Sequence, residues 1–226
     1  MKINYILKYQ NCKTMAQYFN LLNSKIDYFE LFNAISKPRK KDCFRFITNV
    51  KGIDISPKKK VADAKNTSKL LSTERKRLKA NNFNYGYDAY NIKGSLDPII
   101  KKLSLKNVNA EINAQHPGQI KALHYDSCAG WIKQNFTEWK TSQLDHRAKQ
   151  PRGMERLHRF LVALQDWQPG WMVQFGSEQW TNWKKGDVIT FDWRNVPHAT
   201  ANASFETRYL LKITAIKIDK KNDLLV

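Results

Sequence analysis

The chain has 226 residues, enough for one domain with a substantial buried core. Its cysteines, Cys12, Cys43 and Cys128, are widely spaced and form no CxxC pair, which argues against a disulfide framework and a cysteine zinc site. No apolar run approaches the roughly 20 residues of a membrane span, and polar residues interrupt the sequence after Met1 too early for a signal peptide. We therefore expect a cytoplasmic protein that does not enter a membrane.

The formal net charge of +19 is large for this length and favours attraction to a polyanion such as nucleic acid. Basic residues cluster at 37–41, 58–60 and 74–79. Lysine, asparagine and isoleucine are abundant whereas arginine is scarcer, a pattern that an AT-rich genome produces in proteins of any function. Nucleic acid is thus one candidate partner, and solvated loops or a solvated helix face are the simpler interpretation.

Before residue 108 the sequence predicts helices. Helical periodicity or capping signals cover 15–35, 68–80 and 95–105. Ser95 is the expected N-cap of the last helix, and Pro98 is tolerated in its first turn. Residues 1–107 are accordingly predicted to form a basic, helical region that packs on the rest of the chain.

From Val108 the sequence changes to short β-type runs separated by Gly, Pro, Asn and Asp. The candidate strands are 108–113, 119–125, 160–167, 171–175, 187–193, 198–203 and 208–218. This spacing predicts a mainly β domain over 108–218, a sandwich or barrel of the jelly-roll kind with flanking helices. Residues 219–226 form a polar tail.

Three side chains on these strands suggest a metal site. His124 and Asp126 end a predicted strand two residues apart, so both point to the same face. His198 follows another strand-like run. Non-haem iron(II) oxygenases bind the metal with two imidazoles and one carboxylate and leave its other coordination positions open. We predict that His124, Asp126 and His198 form both the metal site and the catalytic site.

Arg208 begins the last long predicted strand, ten positions after His198. The guanidinium group presents a fixed fork of donors that suits a carboxylate better than a lysine would. Arg208 is therefore the predicted clamp for the distal carboxylate of a keto-acid bound beside the metal.

The pattern His124-x-Asp126, His198 and Arg208 resembles the 2-oxoglutarate/Fe(II)-dependent dioxygenases, whose fold is a cupin-like double-stranded β-helix. The stretches 159–170, 183–193 and 198–202 resemble small oxygenases of marine phages and, more distantly, the aspartyl/asparaginyl β-hydroxylase group. The similarity covers about 113–218.

This resemblance implies Fe(II), 2-oxoglutarate as co-substrate, and hydroxylation of a substrate with release of succinate and CO₂. It also implies that Arg159 contributes to keto-acid binding, although the β-hydroxylase group lacks the acidic ligand that Asp126 supplies here. The substrate class stays open between a small molecule, a protein side chain and a nucleotide. If the chain is phage-encoded, the expected location is the host cytoplasm.

Alternative interpretations compete with this one. The domain can be a non-catalytic jelly-roll module whose basic N-terminal half binds nucleic acid, or a cupin-type enzyme with another metal and no keto-acid. His116, His146 and His158 are assigned to structure or substrate contact. Residues 130–151 are either a lid over the metal or a surface insertion, and most tryptophans are expected to pack in the core.

Overall fold

The computed structural model of the protein describes residues 43–62, 84–126 and 156–218. The predicted helices at 15–35 and 68–80, the candidate lid and the polar tail lie outside these ranges. Across the described residues, no helix has the length and apolar character that crossing a membrane requires.

One helix and twelve strands follow one another along the described residues. They are β1 (Phe44–Asn49), β2 (Ser56–Ala62), β3 (Asn84–Tyr85), β4 (Asp88–Lys93), α1 (Asp97–Leu103), β5 (Leu105–Gln115), β6 (Gln119–His124), β7 (Leu157–Ala163), β8 (Trp171–Phe175), β9 (Glu178–Trp180), β10 (Asp187–Phe191), β11 (His198–Asn202) and β12 (Arg208–Lys217).

The strands form two sheets. The larger has seven strands in the order β1-β10-β7-β12-β5-β4-β2, and the smaller has five in the order β3-β6-β11-β8-β9. All pairings are antiparallel except that of β3 with β6. The strand orders also show that most neighbouring strands are distant in sequence. This is the arrangement of the predicted double-stranded β-helix, and the fold class is confirmed.

The space between the two sheets holds an inner core. Trp171, Val173 and Phe175 project into it from the smaller sheet, while Leu161 and Leu210 do so from the larger sheet. Side chains alternate along a strand, so every second residue of β7 and β12 faces this space. Each fully buried aliphatic or aromatic side chain stabilises the fold by about 1.5–3 kcal/mol relative to exposure.

A second core covers the opposite face of the larger sheet. Helix α1 buries Ile99 and Leu103 there, against strand residues that include Phe160 and Leu211. The predicted helix at 95–105 is confirmed, with Pro98 in its first turn. Its start differs slightly: the N-cap position is Leu96, and Ser95 instead accepts a hydrogen bond from the Asp97 backbone N–H through its Oγ, at 3.0 Å.

The region before residue 108 is not uniformly helical. It contributes β1, β2 and β4 to the larger sheet and β3 to the smaller one, so the prediction of a helical region over 1–107 is wrong for these segments. Aromatic and β-branched residues in Phe44-Arg-Phe-Ile-Thr48 are typical of a strand, and β1 pairs with β10, which lies more than a hundred residues later. Such long-range pairing decides the conformation of a short segment more strongly than its local propensity.

Candidate metal centre and anion site

His124, Asp126 and His198 meet in the space between the sheets. Their potential ligand atoms all lie within 4.8 Å of one another. The Asp126 carboxylate is 3.8 Å from Nε2 of His124 and 3.7 Å from Nε2 of His198. Over the three described ranges this is the only such group of His, Cys, Asp and Glu side chains. The side chains selected from the sequence thus converge on one point.

The strand register brings the two imidazoles together. His124 at the end of β6 lies directly opposite His198 at the start of β11, and their ring centroids are 4.2 Å apart. Strand β6 ends at His124, one residue earlier than predicted. Asp126 is held beyond the strand end by its backbone N–H, which donates to the carbonyl oxygen of Trp193 at 3.2 Å.

The surroundings of His198 leave Nε2 available to a metal. Its Nδ1 lies 3.4 Å from the carbonyl oxygen of Val196, and a proton on Nδ1 would be donated to that oxygen. Phe175 and Phe191 pack around the ring, with centroid separations of 6.0 and 4.8 Å. This burial lowers the pKa of His198 below its ordinary value, despite the opposing effect of Asp126. A neutral imidazole is the form that binds a metal.

The carboxylate of Asp126 is kept ionised. Burial alone would raise its pKa, but the positive charge of Arg159 and further contributions from His198, His124 and Lys212 hold the pKa well below its ordinary value. Nη2 of Arg159 is 3.5 Å from Oδ2 of Asp126. The structure therefore places Arg159 against the acidic side chain of the triad.

The donor set fits Fe(II). Two neutral imidazoles and one carboxylate supply three ligands, and imidazole and carboxylate both suit this ion. No described cysteine lies close enough to act as a further ligand. The described cysteine, Cys43, is buried in the inner core.

Arg208 forms the second part of the site. It lies on the face of β12 that also presents Leu210 to the inner core, and its side chain is 3% exposed. Nη1 donates to the carbonyl oxygens of Met172 at 2.8 Å and Ala201 at 3.3 Å, and Nη2 donates to Oε1 of Gln115. The guanidinium thus spans from the larger sheet to β8 and β11 of the smaller one.

The charge of Arg208 has no counter-ion within the described parts of the chain, where no carboxylate lies within ion-pair distance of it. Burial without such a partner lowers the pKa of Arg208 to about 9. A buried, uncompensated cation is costly, and an anionic ligand would relieve that cost.

An ion pair near the triad was not predicted from the sequence. Lys212 lies two residues beyond Leu210 on the same face of β12, and its Nζ contacts Glu111 and donates to Oη of Tyr87 at 3.4 Å. Lys121 approaches the same tyrosine ring, with Nζ 5.8 Å from the centroid. The alternation along β12 indicates that Lys212 lies on the same face as Arg208. The sequence does not show that Glu111 and Tyr87 are neighbours of Lys212, because the folding of the sheet brings them together.

The remaining described histidines lie apart from the triad, as predicted. His116 contacts Thr207 at 2.8 Å and Asp88 at 3.2 Å, and His158 stacks on Phe160 of the second core. His146 falls outside the described residues. Four of the tryptophans, Trp171, Trp180, Trp183 and Trp193, are buried in the inner core, which agrees with the packing role expected for them.

Of the three basic clusters, the structure describes the one at 58–60. These lysines are exposed on β2, and Lys60 pairs with Asp88 at 2.5 Å. The clusters at 37–41 and 74–79 lie outside the described ranges, so a nucleic-acid surface stays a prediction.

No family model and no curated protein sequence matches this chain. Similar solved structures include a prolyl-4-hydroxylase from Pseudomonas putida, with 15% identity, 73% coverage of this chain, 93% coverage of the other and a TM-score of 0.39. A viral collagen prolyl hydroxylase from Paramecium Bursaria Chlorella virus-1, solved as a 2OG complex, has 16% identity, 75% and 99% coverage, and a TM-score of 0.38.

A cupin 2 conserved barrel domain protein from Salinispora arenicola is also similar, with 9% identity, 48% coverage of this chain, 63% coverage of the other and a TM-score of 0.29. These neighbours belong to the jelly-roll and cupin kind of fold.

Proposed function

We propose that this chain is an Fe(II)- and 2-oxoglutarate-dependent oxygenase that hydroxylates its substrate and releases succinate and CO₂. The observation that carries the proposal is a buried guanidinium, Arg208, which has no carboxylate partner among the described residues and shares the inter-sheet space with a His-Asp-His triad. A metal site alone would fit many cupins. The additional anion site fits a co-substrate that has a carboxylate remote from the metal.

In this proposal each residue has a separate task. His124, Asp126 and His198 would hold Fe(II), which when bound supplies dioxygen activation coupled to oxidation of the keto-acid. Arg208 would bind the distal carboxylate of 2-oxoglutarate through its donor fork. Arg159 would orient Asp126, with which it is in contact; an additional contact with the keto-acid stays a prediction from the sequence resemblance.

The test is binding and turnover with defined components. Purified protein loaded with Fe(II) should bind 2-oxoglutarate under anaerobic conditions and should form succinate slowly on exposure to air, even without substrate. The His124→Ala, Asp126→Ala double variant should lose both metal binding and succinate formation. His116→Ala is the matched control, because His116 lies outside the triad, and it should retain both.

Two results would contradict the proposal. One is an iron-loaded wild-type protein that neither binds 2-oxoglutarate nor forms succinate. The other is an Arg208→Ala variant with an unchanged Michaelis constant for 2-oxoglutarate, which would favour a cupin-type enzyme without a keto-acid.

A further inference from the structure

The acceptors that hold Arg208 are all uncharged. They are the carbonyl oxygens of Met172 and Ala201 and the amide oxygen of Gln115. Such acceptors fix the direction of the guanidinium, but they do not neutralise it as a carboxylate would. The arrangement therefore combines a rigid donor fork with a retained positive charge.

Gln115 is itself held in one orientation. It is 1% exposed and is the direct cross-strand partner of Arg208 in the pairing of β5 with β12. Its Nε2 donates to the carbonyl oxygens of Gly86 and Thr200, both at 3.4 Å. The opposite amide orientation would place an NH₂ group against the guanidinium and an oxygen against two carbonyl oxygens, so the network selects the orientation with Oε1 toward Arg208.

The same glutamine is connected to the strand that carries a triad residue. Thr200 lies on β11 two positions after His198, and Asn202 on this strand donates through Nδ2 to the main-chain oxygen of Gln115 at 2.6 Å. Gln115 thereby helps to fix the position of the Arg208 fork relative to His198, together with the direct contact of Nη1 with the carbonyl oxygen of Ala201 on the same strand.

From these contacts we propose that Gln115 is a positioning residue that determines the charge selectivity of the anion site, orienting Arg208 while leaving its charge for the ligand. The inference rests on the proposed function for the identity of that ligand, a keto-acid with a second carboxylate. A glutamate at this position would have the same shape. One of its oxygens would form an internal ion pair with Arg208, so the site would be closed to an anion, and the other would replace the amide donor to the carbonyl oxygens of Gly86 and Thr200.

The decisive variant is Gln115→Glu, compared with Gln119→Glu as a matched control. Gln119 is also a buried glutamine, but its Oε1 accepts from the backbone N–H of His116 and does not contact Arg208. Isothermal titration of Mn(II)-loaded protein with 2-oxoglutarate should show dissociation constants roughly 30-fold higher or more for Gln115→Glu, by analogy with the loss of a buried charge pair. Gln119→Glu should bind 2-oxoglutarate like the wild type.

Two further measurements separate positioning from simple packing. Mn(II) affinity and binding of 2-oxobutyrate, a keto-acid without the distal carboxylate, should be the same in Gln115→Glu and wild type. Gln115→Met, which removes the acceptor and adds no charge, should weaken 2-oxoglutarate binding less than Gln115→Glu does. Because Gln115→Met keeps the volume of the side chain, it also provides the comparison if Gln115→Glu fails to fold.

The inference is overturned if wild type binds 2-oxoglutarate and Gln115→Glu binds it equally well, or if Gln115→Met binds it like the wild type. It is also overturned if 2-oxobutyrate binding falls in parallel with 2-oxoglutarate binding. A wild-type protein that binds Mn(II) but not 2-oxoglutarate would instead reject the proposed function, and the inference with it.

Discussion

Arg159 holds the carboxylate of Asp126, one of the three side chains that would bind the metal. Its side chain faces the inner space from β7 and lies 3.5 Å from Asp126. A residue that holds a ligand carboxylate affects metal affinity without touching the ion, and loss of such a partner typically costs about 10–100-fold in metal affinity or activity.

We expect Arg159→Met to weaken Mn(II) binding by roughly tenfold or more, because Asp126 would lose its orienting partner. Titration of metal-free protein with Mn(II), followed by electron paramagnetic resonance, measures this effect. Arg45→Met on the exposed part of β1 is the control and should bind Mn(II) normally. Equal affinities in the two variants would show that Arg159 does not orient Asp126.

The triad could be predicted from the sequence because its signals are local. His124 and Asp126 are two residues apart, and His198 follows a recognisable turn. The contacts of Arg208 with Gln115 and of Lys212 with Glu111 could not be predicted, because they depend on the register of β12 against β5. That register is set by the burial of many side chains along both strands, which no short motif contains.

At the level of the elements, a bulge in β6 departs from simple alternation. His198 and Thr200 point to the same face of β11, and their partners on β6 are His124 and Lys121, which are three residues apart. Without the bulge, Lys121 and His124 would face opposite sides. The irregularity therefore turns Lys121, 8% exposed, toward the space that holds the triad.

The turn before β10 depends on a glycine. Gly186 has a φ of +91°, and its backbone N–H donates to the carbonyl oxygen of Ala163 at 2.8 Å. A Cβ at this position would collide with the carbonyl oxygen of Val50. The left-handed conformation and the close backbone approach both require glycine.

Gly186→Ala should therefore lower the free energy of unfolding by roughly 2 kcal/mol or more. Gly52→Ala is the control, since Gly52 has a φ of +71° but no atom within 4 Å of the position that a Cβ would occupy. It should cost only about 1 kcal/mol, the penalty of the conformation alone. Urea denaturation measures both changes; equal losses would mean that contact with Val50 is unimportant.

For the whole molecule, His198 links stability to pH. Because burial lowers its pKa in the folded state, the unfolded chain takes up the proton first as pH falls. Stability is therefore retained above about pH 6.5, the ordinary value for histidine, and is lost as pH decreases below it. The lowered pKa of Asp126 acts in the same direction, but only below about pH 4.

Melting temperatures of metal-free protein, measured in chelator, should fall between about pH 7 and about pH 5. The His198→Asn variant should show a shallower decline over the same interval, because the group that takes up the proton on unfolding has been removed. An identical slope in this variant would assign the decline to other groups.

The pairing of His124 with His198 has a mechanical consequence for the barrel. A single ion held by both imidazoles would cross-link β6 and β11, and the two strands could separate only after its release. Metal binding should then make local opening of the smaller sheet less frequent. The factor of this decrease grows with the ratio of metal concentration to dissociation constant. Hydrogen–deuterium exchange should slow at the amides of these two strands on addition of Mn(II), while the amides of α1, on the far face of the larger sheet, should exchange as before.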